Sequence, residues 1–165
     1  MKKYILLILI SLIGSGCAGI VSKNIADNRN LKVNEGIFVS NIISNVDGSQ
    51  ISIINNENNL VASGLFNLKA GDNLIVVALP EGDYSWASIT FDRGISDFRG
   101  KMPFKVEKSK VNYVGDIEID FASGGGSYHI RVISREDKVK QKLKEKFPNI
   151  ANKHDFTVNM TKMHK

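Results

Sequence analysis

Apolar and polar residues alternate in short runs along most of this chain. In the clearest run, residues 111–121, apolar side chains fall on one face of an extended strand and polar side chains on the other, with Val114 as the exception. This period of two is typical of a β-strand with one buried face. The polar positions are Asn112, Asp116, Glu118 and Asp120.

Nine segments of this kind are separated by turns rich in Asn, Asp, Gly and Pro. Many short strands without intervening helices favour an antiparallel sandwich or barrel. We therefore predict a mainly all-β fold, an antiparallel β-sandwich of about seven to nine strands with one C-terminal α-helix. The predicted strands are 37–43, 50–54, 60–66, 74–79, 84–91, 103–106, 111–121, 127–133 and 156–160.

The strands at 111–121 and 127–133 are expected to form a hairpin with their apolar faces together. This pairing places Asp120 near His129 and Glu118 near Arg131. Opposite charges directly across a ladder contribute about 0.2 to 1 kcal/mol each.

A single helix is predicted at 135–147. Ser134 followed by Asp137 resembles an N-cap with an acidic partner, and Pro148 is expected to end the helix. Apolar residues repeat every four positions, which gives a narrow stripe that would lie against the sheets. These residues are Val139, Leu143 and Phe147.

The first residues have the pattern of an export signal. A cationic start (Lys2, Lys3) precedes ten largely apolar residues, 4–13, and then small residues lead to Cys17, the only cysteine. The apolar run is too short to span a bilayer, which takes about 20 residues.

Residues 13–17, Ile-Gly-Ser-Gly-Cys, resemble the lipobox of bacterial lipoproteins, although Gly14 occupies the position where that family has Leu, Val or Ile. The resemblance implies cleavage before Cys17 and acylation of its sulfur. Ala18, the residue after the cysteine, resembles the sorting signal of lipoproteins that go to the outer membrane. The alternative is an ordinary secretory cut after Ala18, which would remove the cysteine.

These features divide the chain into three parts. Residues 1–16 are the predicted lipoprotein signal peptide, 17–34 the lipidated N-terminus with a flexible tether, and 35–165 the β-sandwich domain with its basic helix. Because Cys17 is the only cysteine, the mature body is expected to have no disulfide.

The positive charge is concentrated near the C-terminus. The chain has a formal net charge of +5, and residues 135–146 alone carry six basic and three acidic side chains. No basic and aromatic residues interleave as in nucleic-acid-binding surfaces, so no nucleic-acid partner is predicted.

A second resemblance is local. The turn Pro80-Glu81-Gly82-Asp83-Tyr84 resembles the Pro-x-Gly-x-Tyr turn of prealbumin-like sandwich modules such as carboxypeptidase regulatory-like domains. The later segments 104–106 and 113–116 are similar to a pattern of uncharacterised envelope lipoproteins of that shape. This resemblance supports the fold and implies no activity.

No residue is assigned to catalysis, metal binding or a cofactor. Asp116, Glu118 and Asp120 share a strand face, but residues two apart in a strand lie about 7 Å apart, too far to chelate one ion together. His129 lies near these acids, yet no serine occupies a recognisable nucleophile elbow.

The candidate partner-binding residues are on the helix and on one strand. The helix lysines are suited to anionic headgroups, glycans or acidic proteins, and the competing interpretation is a solvated helix face. Two strand aromatics are suited to a ligand surface, and the competing interpretation is core packing. These residues are Lys140, Lys142, Lys144, Tyr84 and Trp86.

Taken together, the sequence predicts a lipid-anchored protein of the cell envelope, on the outer membrane facing the periplasm, held in the bilayer through acylated Cys17. We expect a non-enzymatic binding or assembly module whose partner is an envelope protein or an anionic glycan. One alternative is an envelope-polymer hydrolase using His129 with Asp120 or Asp116 in a concave pocket. Another is a small-ligand carrier, which requires a closed barrel with an empty apolar interior.

Overall fold

Two β-sheets and two short helices make up the described part of the chain, residues 22–57, 62–91, 94–122 and 127–164 of the computed structural model. The predicted mainly β class is confirmed. The strands are β1 (Glu35–Ser44), β2 (Gln50–Asn55), β3 (Ala62–Asn67), β4 (Gly71–Pro80), β5 (Gly82–Phe91), β6 (Gly94–Asp97), β7 (Pro103–Val106), β8 (Lys110–Tyr113), β9 (Asp116–Phe121), β10 (Tyr128–Ile133) and β11 (Asp155–Val158), and the helices are α1 (Glu136–Lys146) and α2 (Pro148–Lys153).

Sheet A contains β1, β4 and β8–β11, and sheet B contains β2, β3 and β5–β7. In sheet A, β1 pairs antiparallel with β4 on one edge and parallel with β8 and then β9 on the other. Outside these lie β10, next to β9, and β11, next to β8. In sheet B the order is β3, β2, β5, and then β6 and β7, which lie end to end along the free edge of β5. Each sheet is therefore four strand positions wide.

The strands differ from the prediction in number and direction. The described residues form eleven strands because β6 was not predicted and the predicted strand at 111–121 is divided into β8 and β9. Sheet A is mixed and not antiparallel, since β8 and β9 run parallel to β1. Parallel pairing joins segments far apart in sequence, and a local alternation pattern carries no information about it.

The division of 111–121 occurs at Gly115, which has a φ of 98°. A side chain at this position would be strained, and its Cβ would lie 2.8 Å from Cε of Met160. The apolar side chains before and after the break enter different cores. Tyr113 packs toward the helices, whereas Ile117 packs between the sheets. The prediction that the apolar residues of 111–121 share one face was therefore wrong.

The two sheets enclose one hydrophobic core, and a second, smaller core lies between sheet A and the helices. The first core is filled by aromatic and branched side chains from both sheets, among them Phe38, Ile51, Trp86 and Ile117. This filled interior does not match the empty barrel that the carrier hypothesis requires. The second core includes Ile37, Val39, Val139, Leu143 and Ile150.

The segment 22–34 lies against the body, so a flexible tether does not describe it. The Ser22 amide donates to the Leu65 carbonyl of β3 (2.7 Å), and the Ile25 amide donates to the Val76 carbonyl of β4 (2.9 Å). The side chain of Asn24 donates to the Leu74 carbonyl and accepts from the Val76 amide, both in β4. The segment therefore covers the outer edges of β3 and β4, which are otherwise open to pairing with other chains.

The end of the same segment is held by charged side chains. Asp27 accepts bonds from the amides of Asn149 and Ile150 at the start of α2. Glu35, which is buried, accepts a bond from the Lys32 amide (3.0 Å) and pairs with Arg29 (3.1 Å). The bond from the Lys32 amide, together with Arg29, holds the pKa of Glu35 below its ordinary value of 4.5.

The C-terminal tail, residues 159–164, covers part of the opposite side of the molecule. The Thr161 amide donates to the Val114 carbonyl after β8 (2.9 Å), and the Lys162 amide donates to the Pro103 carbonyl of β7 (3.0 Å). Within the core, the Trp86 indole donates to the Thr161 hydroxyl (3.1 Å). The tail thus joins sheet A to sheet B.

Two helices follow one another where one was predicted. Pro148 does not simply end α1; it is the first residue of α2, a position where its missing N–H is not needed. The N-cap of α1 is Arg135 and not Ser134, and no side chain of the cap residue bonds the helix. The predicted stripe is confirmed, because Val139 and Leu143 are buried and Phe147 packs beside them.

The turn at residues 80–84 carries the chain from β4 in sheet A to β5 in sheet B. The Tyr84 hydroxyl donates to the Pro80 carbonyl (2.9 Å). A tyrosine bonded to the backbone a few residues upstream stabilises such a corner in β-sandwich domains.

Replacing Thr161 tests the contribution of the tail. Thr161→Val leaves the buried indole N–H of Trp86 without an acceptor, so we expect the free energy of unfolding to fall by about 1 to 3 kcal/mol. Urea unfolding followed by the fluorescence of Trp86, the only tryptophan, measures this. Thr161→Ser is the control, since it keeps the acceptor. Equal stability of the Val and Ser variants would contradict the prediction.

A second prediction concerns pH. Because the folded pKa of Glu35 is lowered, the unfolded chain binds more protons near and below pH 4.5, and the stabilisation from Glu35 is lost as the pH falls through the folded pKa. Glu35→Gln should be less stable than the parent at pH 7 by about 1.5 to 3 kcal/mol, and the difference should shrink in acid. Urea unfolding between pH 3 and 7 measures it, with the exposed Glu145→Gln as control. A difference that does not change with pH would refute this assignment.

Candidate partner-binding surface

The helix α1 lies on the outer face of sheet A and carries the predicted lysines. Val139 and Leu143 are buried against the sheet, so the remaining positions face outward or border it. Acidic residues occupy the first turn and lysines the last, the order that the helix dipole favours.

The N-terminus of α1 is held by Tyr113 of β8. The Tyr113 hydroxyl accepts a bond from the Arg135 amide (2.9 Å) and donates to Oδ1 of Asp116 (2.8 Å). Asp116 is fully buried, and its Oδ2 has no hydrogen-bond partner among the described residues; Arg135 lies 3.8 Å from it. Burial raises the pKa values of both Asp116 and Tyr113.

The other two carboxylates of β9 contact arginines. Glu118 pairs with Arg131 (2.9 Å) and with Arg135, and Asp120 lies 3.4 Å from Arg131. The predicted register is confirmed, with Asp120 opposite His129 and Glu118 opposite Arg131. No three metal-ligating side chains gather closely enough to hold an ion within the described ranges.

The residues of the hydrolase hypothesis do not come together in one pocket. His129 and Asp120 are both exposed on the strand face. Asp116 lies opposite Ile133, four residues from His129 and therefore about 13 Å away along the strand, and it is buried beneath α1.

Lys142 is occupied within the protein. Its ammonium lies 3.2 Å from Asp72 of β4 and 3.3 Å from the side-chain oxygen of Asn41. Asn41 in turn donates to Asp72 (2.8 Å), and this bond together with Lys142 lowers the pKa of Asp72. Lys142 therefore joins α1 to sheet A, which leaves it less suited to a partner than the prediction assumed.

Lys140 and Lys144 border a cleft of ≈ 260 Å³ between the helices and sheet A. The cleft has apolar walls, including Leu143 and Phe156, and His154 also lines it. Lys140 is paired with Glu136 (2.6 Å) and lies 4.8 Å above the ring of Phe156. Lys144 is exposed, and no carboxylate of the described residues lies within ion-pair distance of it. Of the three predicted lysines, Lys144 is thus the one most available to an anionic partner.

Tyr84 and Trp86 are not on a binding surface. Their exposed fractions are 1% and 0%, and both rings pack against Phe104 in the core between the sheets. The prediction of a partner contact at these residues was wrong, and core packing, the competing interpretation, describes them. They sit on the inward face of β5, where side chains of the two packed sheets interdigitate to form the core.

A larger cleft of ≈ 810 Å³ lies between β7 and the C-terminal tail and was not predicted. Lys105 is on one side, and Val158, Met160, Lys162 and His164 are on the other. These segments lie about fifty residues apart in sequence, and no motif in either one indicates that they meet.

Cys17 lies outside the described residues, and so do the three glycines at 124–126, between the two segments of the predicted hairpin. Within the described part, neither helix has the length and apolarity needed to cross a membrane. Comparison of the chain with protein-family models, with curated proteins and with solved structures finds no match.

The different surroundings of Lys142, bound to Asp72, and of Lys144, exposed, lead to a prediction. Lys142→Glu places a carboxylate beside Asp72, so we expect the free energy of unfolding to fall by about 1 kcal/mol or more at low salt. Lys144→Glu is the matched control on the same helix and should leave stability within about 0.5 kcal/mol of the parent. Thermal and urea unfolding at two salt concentrations measure both. Equal losses in the two variants would contradict the role given to Lys142.

Proposed function

We propose that this chain is a bacterial envelope lipoprotein, anchored by acylated Cys17, whose β-sandwich body is a non-enzymatic binding or assembly module. The signal-like N-terminus with its single cysteine carries the proposal. Ala18 after this cysteine favours an outer-membrane location facing the periplasm.

The length of the linker limits how far the body can lie from the proposed anchor. Ser22 is the first described residue that bonds the body, and only residues 18–21 separate it from Cys17. Five residue steps span at most about 18 Å, so an anchor at Cys17 would keep the outer edges of β3 and β4 close to the bilayer. A protein held this closely presents its far side to partners.

Lys144, with Lys140 beside it, is the part of the predicted basic surface that supports binding of an anionic glycan or an acidic envelope protein. Both lysines lie on the helix side of sheet A next to an apolar cleft. A cation beside an apolar wall suits an anionic group attached to a carbon skeleton.

Acylation is tested by the mass and location of the mature protein. We expect the protein to fractionate with membranes, to begin at Cys17 and to carry three acyl chains, which leaves no thiol to react with a maleimide. Cys17→Ser should abolish acylation and release the protein from membranes, because each buried acyl CH₂ stabilises attachment by about 0.8 kcal/mol.

Ser15→Ala is the control, since it changes a neighbouring small residue and keeps the sulfur. Mass spectrometry and thiol labelling of the parent and both variants distinguish the outcomes. A parent protein that begins at Gly19, carries no fatty acid and stays out of the membrane fraction would refute the proposal.

A further inference from the structure

The cleft between β7 and the C-terminal tail exposes part of the backbone of each segment. β7 is paired with β5 on one edge, and β11 with β8 on one edge. The cleft lies where the two sheets meet, at the side of the molecule opposite β3 and β4, and it is lined by residues 103–105 of β7 and by Val158, the last residue of β11.

The backbone of β7 alternates between the two directions. The Met102 carbonyl accepts a bond from Trp86 of β5 (3.1 Å), so residues 102, 104 and 106 point toward β5. The Pro103 carbonyl points the other way and accepts from Lys162 (3.0 Å). The N–H and C=O of Lys105 must then also point into the cleft, and neither has a partner among the residues that the structure describes.

The tail side shows the same alternation. The amides of Asn159 and Thr161 donate to the carbonyls of Tyr113 and Val114 in sheet A. The backbone groups of Val158 and Met160 therefore point away from sheet A and into the cleft. The bond from Lys162 to Pro103, together with the bond from the His164 amide to the Lys101 carbonyl (2.8 Å), pairs the tail with the outer edge of the chain at 101–103 and closes one end of the cleft. The tail is no longer bonded to β7 at Lys105, so the backbone groups that face the cleft belong to Lys105 on one side and to Val158 and Met160 on the other.

The side chains around the cleft include apolar residues, two lysines (Lys105 and Lys162) and one acidic residue, Asp83. His164 and two asparagines complete the lining. Val158 keeps 39% of its surface exposed, although it is a large apolar residue next to a strand edge. An occupant with acidic side chains on one face of an extended strand would meet the lysines, and its alternate residues would cover Val158.

We propose that this cleft binds an extended acidic segment of a partner protein, which forms backbone hydrogen bonds with Lys105 of β7 and with Val158 and Met160 of the tail. Backbone bonding supplies affinity and the lysines select acidic sequences, as in other cases of strand addition. That the cleft faces away from the bilayer depends on the proposed lipid anchor. The binding proposed for the cleft does not depend on it.

The test uses the full chain carrying Cys17→Ser, so that its outcome is independent of acylation. The probe is a fluorescent octapeptide of alternating Thr and Glu, compared with one of alternating Thr and Lys and with the Thr-Glu peptide N-methylated at alternate residues. We expect anisotropy to show binding of the Thr-Glu peptide and binding at least about tenfold weaker for the other two. Amide shifts in ¹⁵N spectra should map to Lys105, Val158 and Met160.

Two variants separate backbone pairing from charge. Lys105→Pro removes an N–H that does not pair with β5, so the fold is kept while strand addition is blocked, and the affinity should fall about tenfold. Lys105→Ala keeps the N–H and should cost less, about threefold. Lys69→Ala, an exposed lysine away from the cleft, should change nothing. Circular dichroism confirms folding of each variant.

Four results would overturn the proposal. They are equal binding of the N-methylated peptide, equal binding of the Thr-Lys peptide, unchanged affinity of Lys105→Pro, and occupation of the cleft by a second copy of the chain, seen as a dimer that Lys105→Pro dissociates. If Lys105→Pro does not fold, the N-methylated peptide and Lys105→Ala still decide between the outcomes.

Discussion

The structure depends on strand β1, which is hydrogen-bonded along both edges and covered on both faces. Nine of its ten residues are buried. Because such a strand has no access to water, each polar side chain on it needs a partner inside the protein. Ser40 donates to the Gly115 carbonyl (2.7 Å), and Asn41 bonds Asp72 and Lys142. These bonds tie β1 to the break between β8 and β9 and to α1, so the central strand also positions the helix.

A sheet organised around one central strand still has outer edges, and the ends of the chain cover much of them. Residues 22–25 bond both β3 and β4, and residues 161–164 bond the chain near β7. Both segments are polar and aperiodic in sequence, which is typical of linkers. In the structure they join sheet A to sheet B on opposite sides. Covering an edge prevents pairing with other chains, and the same bonds join the two sheets to each other.

The sequence predicted what depends on neighbouring residues and missed what depends on distant ones. The alternation at 127–133 and its charges predicted the pairing of Glu118 with Arg131, because a hairpin register follows from two adjacent strands. The exposed, four-residue β6 has too short a pattern to recognise, and the break at Gly115 interrupts a pattern that otherwise looks continuous. The parallel pairing of β1 with β8 and the docking of residues 22–34 are contacts between distant segments. Amphipathic periodicity records which face of a strand is buried and not which strand lies beside it.

The same distinction explains the candidate sites. The lysines of α1 were found because a charge cluster is visible in sequence, yet only the structure shows that Lys142 is bound to Asp72 while Lys144 is exposed. Tyr84 and Trp86 were equally visible, but a strand aromatic looks the same whether it faces solvent or the core. The cleft beside Lys105 exists because the tail bonds β7 at Pro103 and separates from it at Lys105. A tail that continued the pairing by two residues would satisfy the backbone of Lys105 and remove the cleft. The free edge is therefore a consequence of where the tail leaves β7, and that point is set by the bonds of Thr161 to Val114 and to Trp86.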